Sequence, residues 1–161
     1  MGNSFTNINV HLIFHTKSQG STMREEDLPR IFRYIGGVIR TMSGCAFIVG
    51  GRPDHIHVLT TLPVQITLAD FVRDLKSNTT KWIKGIDSCY KDFAWQNGYG
   101  AFSVSESNKD SVVQYIEGQK EHHQKHTAQE EFCKFLKKHG YSVEDIHWWT
   151  VNTKRQNQSV D

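Results

Sequence analysis

The stretch from Cys45 to Leu62, CAFIVGGRPDHIHVLTTL, constrains the fold more than any other part of the chain. Two apolar runs, Cys45 to Val49 and His55 to Leu62, are separated by Gly50-Gly51-Arg52-Pro53-Asp54, residues that break regular structure and favour turns. Strands joined this closely read as a hairpin, and a lone hairpin is barely stable in water. The rest of the chain must therefore supply strands and helices that cover it.

Those partners are legible on both sides. Asn9 to Thr16 (NVHLIFHT) mixes β-branched and aromatic residues with polar ones and reads as a strand, followed by a polar loop from Lys17 to Thr22. From Glu26 to Met42, Leu28, Ile31, Ile35, Val38 and Ile39 recur at helical spacing before the stop at Ser43-Gly44. Thr67 is placed to cap a second helix running through Lys84, with Leu68, Phe71, Val72, Leu75, Trp82 and Ile83 as its apolar face. After a loop containing Trp95-Gln96-Asn97-Gly98-Tyr99-Gly100, Ala101 to Ser105 reads as a strand and Asn108 to His126 as a third helix. A further helix is expected over Gln129 to His139. The order strand, helix, strand, strand, helix, strand, helix predicts an α+β fold, the split βαβ pattern of a ferredoxin-like antiparallel sheet with helices on one face.

Composition bounds the function classes. With 37% hydrophobic and 22% charged residues over 161 positions, the chain can bury a core and is expected to form one domain over 1–151. The polar, aperiodic segment 152–161 reads as a tail. A net charge of only +2 means that any nucleic-acid contact must come from a local basic surface. Cys45, Cys89 and Cys133 are odd in number and unpaired in spacing, which argues against a disulfide framework or zinc site and for a reducing, cytoplasmic setting. No signal-peptide pattern and no long apolar run is present, so no membrane association is expected.

Two constellations carry chemistry. His55 and His57 flank Ile56, and strand alternation projects both imidazoles from one face, presenting two nitrogen ligands together. Such a triplet also suits a solvent-facing strand, and the residues by themselves leave both readings open. Tyr115 and Gln119 stand four apart on the third helix, so a phenol and an amide share a face; a half-buried aromatic beside a surface amide is the plainer alternative. Arg52 precedes the histidine strand, and Arg73, Lys76, Lys81 and Lys84 form a basic face on the second helix, suited to a DNA backbone or to solvent. Trp95 and Tyr99 are candidates for base stacking or for the core. His122, His123 and His126 read as a solvated helix end, with backbone contact as the next option.

Together these segments resemble the HUH single-tyrosine transposases of the insertion-sequence-200/605 type, including the REP-associated tyrosine transposases. The resemblance spans most of Asn7 to Gln124. It is carried by NVHLIFHTK, GGRPDHIHVLTTLP, LADFVRDLKSNTTKWI, FAWQNGYGAFSVS and VQYIEGQ. It implies that His55, His57 and Gln119 hold Mg²⁺ or Mn²⁺ and that Tyr115 is the nucleophile. It further implies a single-stranded DNA substrate with hairpins, a 5′-phosphotyrosine intermediate, and a homodimer in which the tyrosine helix can serve either protomer. A domesticated palindrome-processing relative and a non-catalytic hairpin-DNA-binding module are the alternatives. Replication initiators and conjugative relaxases share the histidine pair, but neither a helicase segment nor a second matching tyrosine is found here.

Overall fold

The computed structural model describes residues 4–17, 21–122, 125–142, 144 and 145. Strands β1 (Asn9–His15), β2 (Ala46–Arg52), β3 (His55–Thr61) and β4 (Gly100–Val104) alternate with helices α1 (Leu28–Thr41), α2 (Leu68–Ile86) and α3 (Lys109–Glu117). Two short helices follow, α4 (Gln119–His122) and α5 (Ala128–Lys138). The strands form one antiparallel sheet in the order β2-β3-β1-β4, the ferredoxin-like arrangement expected from the element order. The chain makes two compact units, Met1–Gln119 and Lys120–Asp161. The expected tail over 152–161 lies outside the described residues.

Alternation assigns the two faces of the sheet in the first unit. Val10, Leu12 and Phe14 of β1 and Ile56 and Val58 of β3 join the main core with Ile31, Ile35 and Ile39 of α1 and Phe71, Val72, Leu75 and Ile83 of α2. Each such buried aliphatic or aromatic side chain contributes about 1.5–3 kcal/mol. The intervening residues, Asn9, His11, Ile13 and His15 on β1 and His55, His57 and Leu59 on β3, point to the opposite face. Register pairs His15 with His55 and Ile13 with His57.

Local chemistry sets the helix limits. Thr67 accepts a hydrogen bond from Asp70 N at 3.1 Å and so caps α2 as its sequence predicts. Asp27, ahead of α1, is buried and accepts hydrogen bonds from Tyr90 Oη (2.5 Å) and from Arg24 Nε (2.7 Å), with Arg30 also bonded. Burial alone would raise its pKa, but these three donors outweigh it and hold the carboxyl below the usual range. In the second unit, Thr127 and Glu130 form a reciprocal capping box on α5.

The third helix departs from expectation. Instead of running from Asn108 to His126 it ends at Glu117, and Gly118 closes it with its N–H donating to Gln114 O at 3.0 Å. Glycine is among the poorest helix formers, costing about 1 kcal/mol against alanine, and the turn breaks there. Among the described residues, no helix is long and apolar enough to cross a membrane.

Candidate active site

Two adjacent glycines shape the approach to the histidine strand. Gly51 has φ +148°, and a Cβ there would lie 2.2 Å from His55 O, so only glycine fits the turn into β3. At Gly50 a Cβ would stand 2.7 Å from Ile116 Cγ2 and 3.1 Å from Ile116 O. The missing side chain lets α3 sit directly on β2, on the face that carries the histidines. The start of α3 is tied down as well: Glu106 accepts from Asn7 (2.9 Å), Asn9 (3.1 Å) and Lys109 (2.6 Å). The Lys109 hydrogen bond, followed by those from the two asparagines, lowers its carboxyl to about 2.

This docking brings the tyrosine and both histidines together within one chain. Tyr115, half-buried on α3, meets the His57 ring edge-on at 5.8 Å between centroids and the His11 ring at 6.4 Å. His55 and His57 are buried, their rings 5.1 Å apart and nearly perpendicular, with ligand nitrogens within 4.8 Å. Gln119, also buried, places Oε1 3.1 Å from His55 Nε2, and its amide nitrogen reaches back to Tyr115 O at 3.5 Å. The helix break at Gly118 therefore leaves Gln119 at the histidines.

The nitrogens of the pair are oriented from behind. His55 Nδ1 lies 2.7 Å from Asp54 Oδ1, and because an ionised carboxylate only accepts, the proton of that bond sits on the imidazole. Desolvation would raise the Asp54 pKa, but the hydrogen bond and charge of His55, with His15 adding, keep it lowered. His57 Nδ1 lies 2.8 Å from His11 Nε2, and the two rings are 5.1 Å apart. His15 stacks on His55 at 5.7 Å. His55 therefore turns Nε2 toward Gln119, while His57 meets His11 through Nδ1.

The donor set, two imidazole nitrogens and an amide oxygen, could hold a divalent cation. With the His55 proton on Nδ1, Nε2 and Gln119 Oε1 each present a lone pair, and they stand 3.1 Å apart. That spacing matches neighbouring ligands of an octahedral ion, which stand about 3 Å apart when each is about 2.1 Å from the metal.

The basic residues are dispersed. Arg52, opposite His55 in the sheet register, is ion-paired with Glu25. The other four lie on α2, which packs against the face of the sheet turned away from the histidines. Arg73 pairs with Asp70 (2.6 Å) and Asp74 (2.9 Å). Lys76 turns inward to donate to Gln96 O (2.9 Å) and Gly98 O (2.5 Å), and burial pushes its pKa down to about 8. Lys81 and Lys84 are exposed. Trp95 belongs to the core, edge-on to Phe14 and Phe93 with its Nε1–H donating to Thr79 Oγ1 at 3.2 Å, whereas Tyr99 is 38% exposed. His126 bonds Lys134 at 3.3 Å, while His123 and the side chain of His122 lie outside the described residues.

Sequence reading missed His11 and His15. Their signal was the two-residue period of β1, which aligns both with Asn9 and Ile13; the pairing that lays them beside His57 and His55 is a long-range register.

The ferredoxin-like sheet thus carries the paired histidines beneath the docked helix that bears Tyr115. The family profile described as "Transposase IS200 like" matches residues 4–119, and the chain belongs to that family. Its fold is similar to that of a candidate transposase from Deinococcus radiodurans R1, with 22% identity and a TM-score of 0.56 over 74% of this chain and 96% of that one. A REP-associated tyrosine transposase bound to a REP hairpin aligns at 16% identity and a TM-score of 0.49, over 74% of this chain and 70% of that one. Among curated proteins, none matches.

The glycine contact predicts a separable effect. Gly50→Ala should destabilise the protein by about 1–3 kcal/mol, because stiff Ile116 cannot yield without lifting α3. Gly36→Ala, in α1 with nothing within 4 Å of the added Cβ, should gain up to about 1 kcal/mol. Denaturant melts of the two variants check the pair; equal stabilities would contradict the close approach of α3 to β2.

Proposed function

We propose that this member of a transposase family nicks and rejoins single-stranded DNA carrying short hairpins, with Tyr115 as nucleophile and Mg²⁺ or Mn²⁺ held by His55, His57 and Gln119. The observation that carries the reading is the gathering of Tyr115, His57 and the His55–Gln119 pair on one face of the sheet within a single chain. When bound, the divalent ion polarises a phosphate oxygen and stabilises charge at phosphorus.

Tyr115 Oη attacks the phosphorus in line, a phosphorus–tyrosine bond forms, and the bond to the 3′ oxygen breaks. The phenol gives up one proton and the leaving oxygen takes one up as a 3′-hydroxyl, so the step balances without a co-reactant. The 5′-phosphotyrosine keeps the energy of the broken linkage. Attack by that hydroxyl, or by one on another strand, restores a phosphodiester and frees Tyr115.

Among the basic residues, Arg52 is the cross-strand neighbour of His55 and is assigned to the DNA backbone near the reacting phosphate. Lys81 and Lys84 are assigned to long-range backbone attraction, being exposed on the face away from the histidines. Arg52, paired with Glu25, and Arg73 and Lys76 each reach DNA only by exchanging their present partners. A homodimer remains part of the proposal, with each protomer supplying its own tyrosine.

Incubation with hairpin-bearing single-stranded oligonucleotides and Mg²⁺ or Mn²⁺ should give a protein–DNA species that survives denaturing electrophoresis. Chelator should prevent its formation. DNA retained on native gels with no denaturant-resistant species under any of these metals would instead identify a binding module.

A further inference from the structure

Resting on that reading of the metal site, we infer that His11 is a positioning residue that holds His57 in the tautomer able to bind metal. His11 is buried on β1, and its Nε2 lies 2.8 Å from His57 Nδ1. One proton is shared in such a bond, so either His11 donates to His57 or His57 donates to His11. A neutral imidazole that ligates through Nε2 must carry its proton on Nδ1. The bond then has one direction: His57 Nδ1–H donates to His11 Nε2.

The arrangement repeats at the neighbouring ligand by different chemistry. His55 directs its Nδ1–H to Asp54 Oδ1 at 2.7 Å, so each histidine of β3 has an acceptor behind its δ nitrogen. One acceptor is a carboxylate from the preceding turn and the other an imidazole from the adjacent strand. The acceptor at His57 is neutral, which adds no charge beside the incoming phosphate. The His11 ring also touches the Tyr115 ring, at 6.4 Å between centroids, so one side chain supports both the ligand and the nucleophile.

Outer partners of this kind tune metal affinity by about 10–100-fold. Two variants separate hydrogen bonding from packing. His11→Phe keeps a ring on the buried strand but has no acceptor; His11→Gln places an amide oxygen close to where His11 Nε2 stands. Mn²⁺ affinity, measured by calorimetry on the full chain without DNA, should fall about 10–100-fold in His11→Phe and stay within about threefold of wild type in His11→Gln. In the Mg²⁺-loaded protein, nitrogen-15 spectra should show a slowly exchanging His57 Nδ1–H in wild type and His11→Gln, and a rapidly exchanging one in His11→Phe. Equal affinities in all three proteins would overturn the role of His11 and leave the proposed function standing. A wild-type protein that binds no Mn²⁺ would overturn both.

Discussion

Tyr115→Phe is expected to abolish the covalent protein–DNA species, with the rate of its formation falling by at least about a thousandfold, as when a covalent nucleophile is removed. The substitution is close to a single-atom test. Phenylalanine keeps the ring that meets His57 at 5.8 Å and His11 at 6.4 Å, so the packing of α3 on the sheet is preserved. Only the attacking oxygen is lost. Stability should change by no more than about 1.5 kcal/mol, because Tyr115 is half-exposed and its ring contacts with His57 and His11 remain. Hairpin-oligonucleotide binding should be retained, and denaturing electrophoresis beside a native-gel titration reads both quantities. An adduct that forms in the variant at the wild-type rate would reject Tyr115 as the nucleophile.

The second large effect concerns the histidine pair. Replacing His55 and His57 together by Gln should reduce metal-dependent cleavage by at least about a hundredfold, since the imidazole donors expected to bind the ion are gone. Because both residues are buried, loss of activity could reflect loss of fold, and a second readout separates the two. A ligand that binds only the folded state stabilises it, by about 2.7 kcal/mol at a hundred times its dissociation constant. Wild type should therefore melt at a higher temperature as Mn²⁺ is added, whereas the double variant should melt cooperatively at a temperature that Mn²⁺ does not change. A variant still stabilised by Mn²⁺ to the wild-type extent would place the ion elsewhere.

Much of the fold was legible because its determinants are local. The repeats of Leu28, Ile31, Ile35 and Ile39 on α1 and the Thr67 cap of α2 act within a few residues and form the expected elements; the hairpin also forms, but its turn is Pro53-Asp54 alone, and Gly50, Gly51 and Arg52, expected in the turn, extend β2. The His-Ile-His alternation was readable in the same way, since a strand's two-residue period needs no partner to be recognised. The helix break at Gly118 was missed because good helix formers, Gln119, Lys120 and Glu121, follow it directly, while one glycine decides the local backbone.

What sequence could not supply was register and facing. The nearness of His11 to His57 depends on how β1 slides against β3, and a one-residue slip would turn every histidine of one strand to the opposite face. The basic side of α2 was visible as a charge pattern, yet two facts reorganise it. Lys76 finds the carbonyls of Gln96 and Gly98 some twenty residues away, and the apolar face of α2 commits the whole helix to the side of the sheet away from His55. Charge periodicity reports which side of a helix is wet, and says nothing of which side of the sheet the helix occupies.

Peptide mapping of the covalent adduct bears most directly on the chemistry. Wild-type protein is incubated with hairpin DNA and Mn²⁺, the nucleic acid is trimmed to its attached nucleotide, and the modified peptide is sequenced by mass spectrometry. The geometry predicts a 5′-nucleotide phosphate on the peptide containing Val112-Val113-Gln114-Tyr115-Ile116, carried by the tyrosine and absent when chelator is present. A nucleotide carried by any other residue, or the same modification formed without metal, would contradict it.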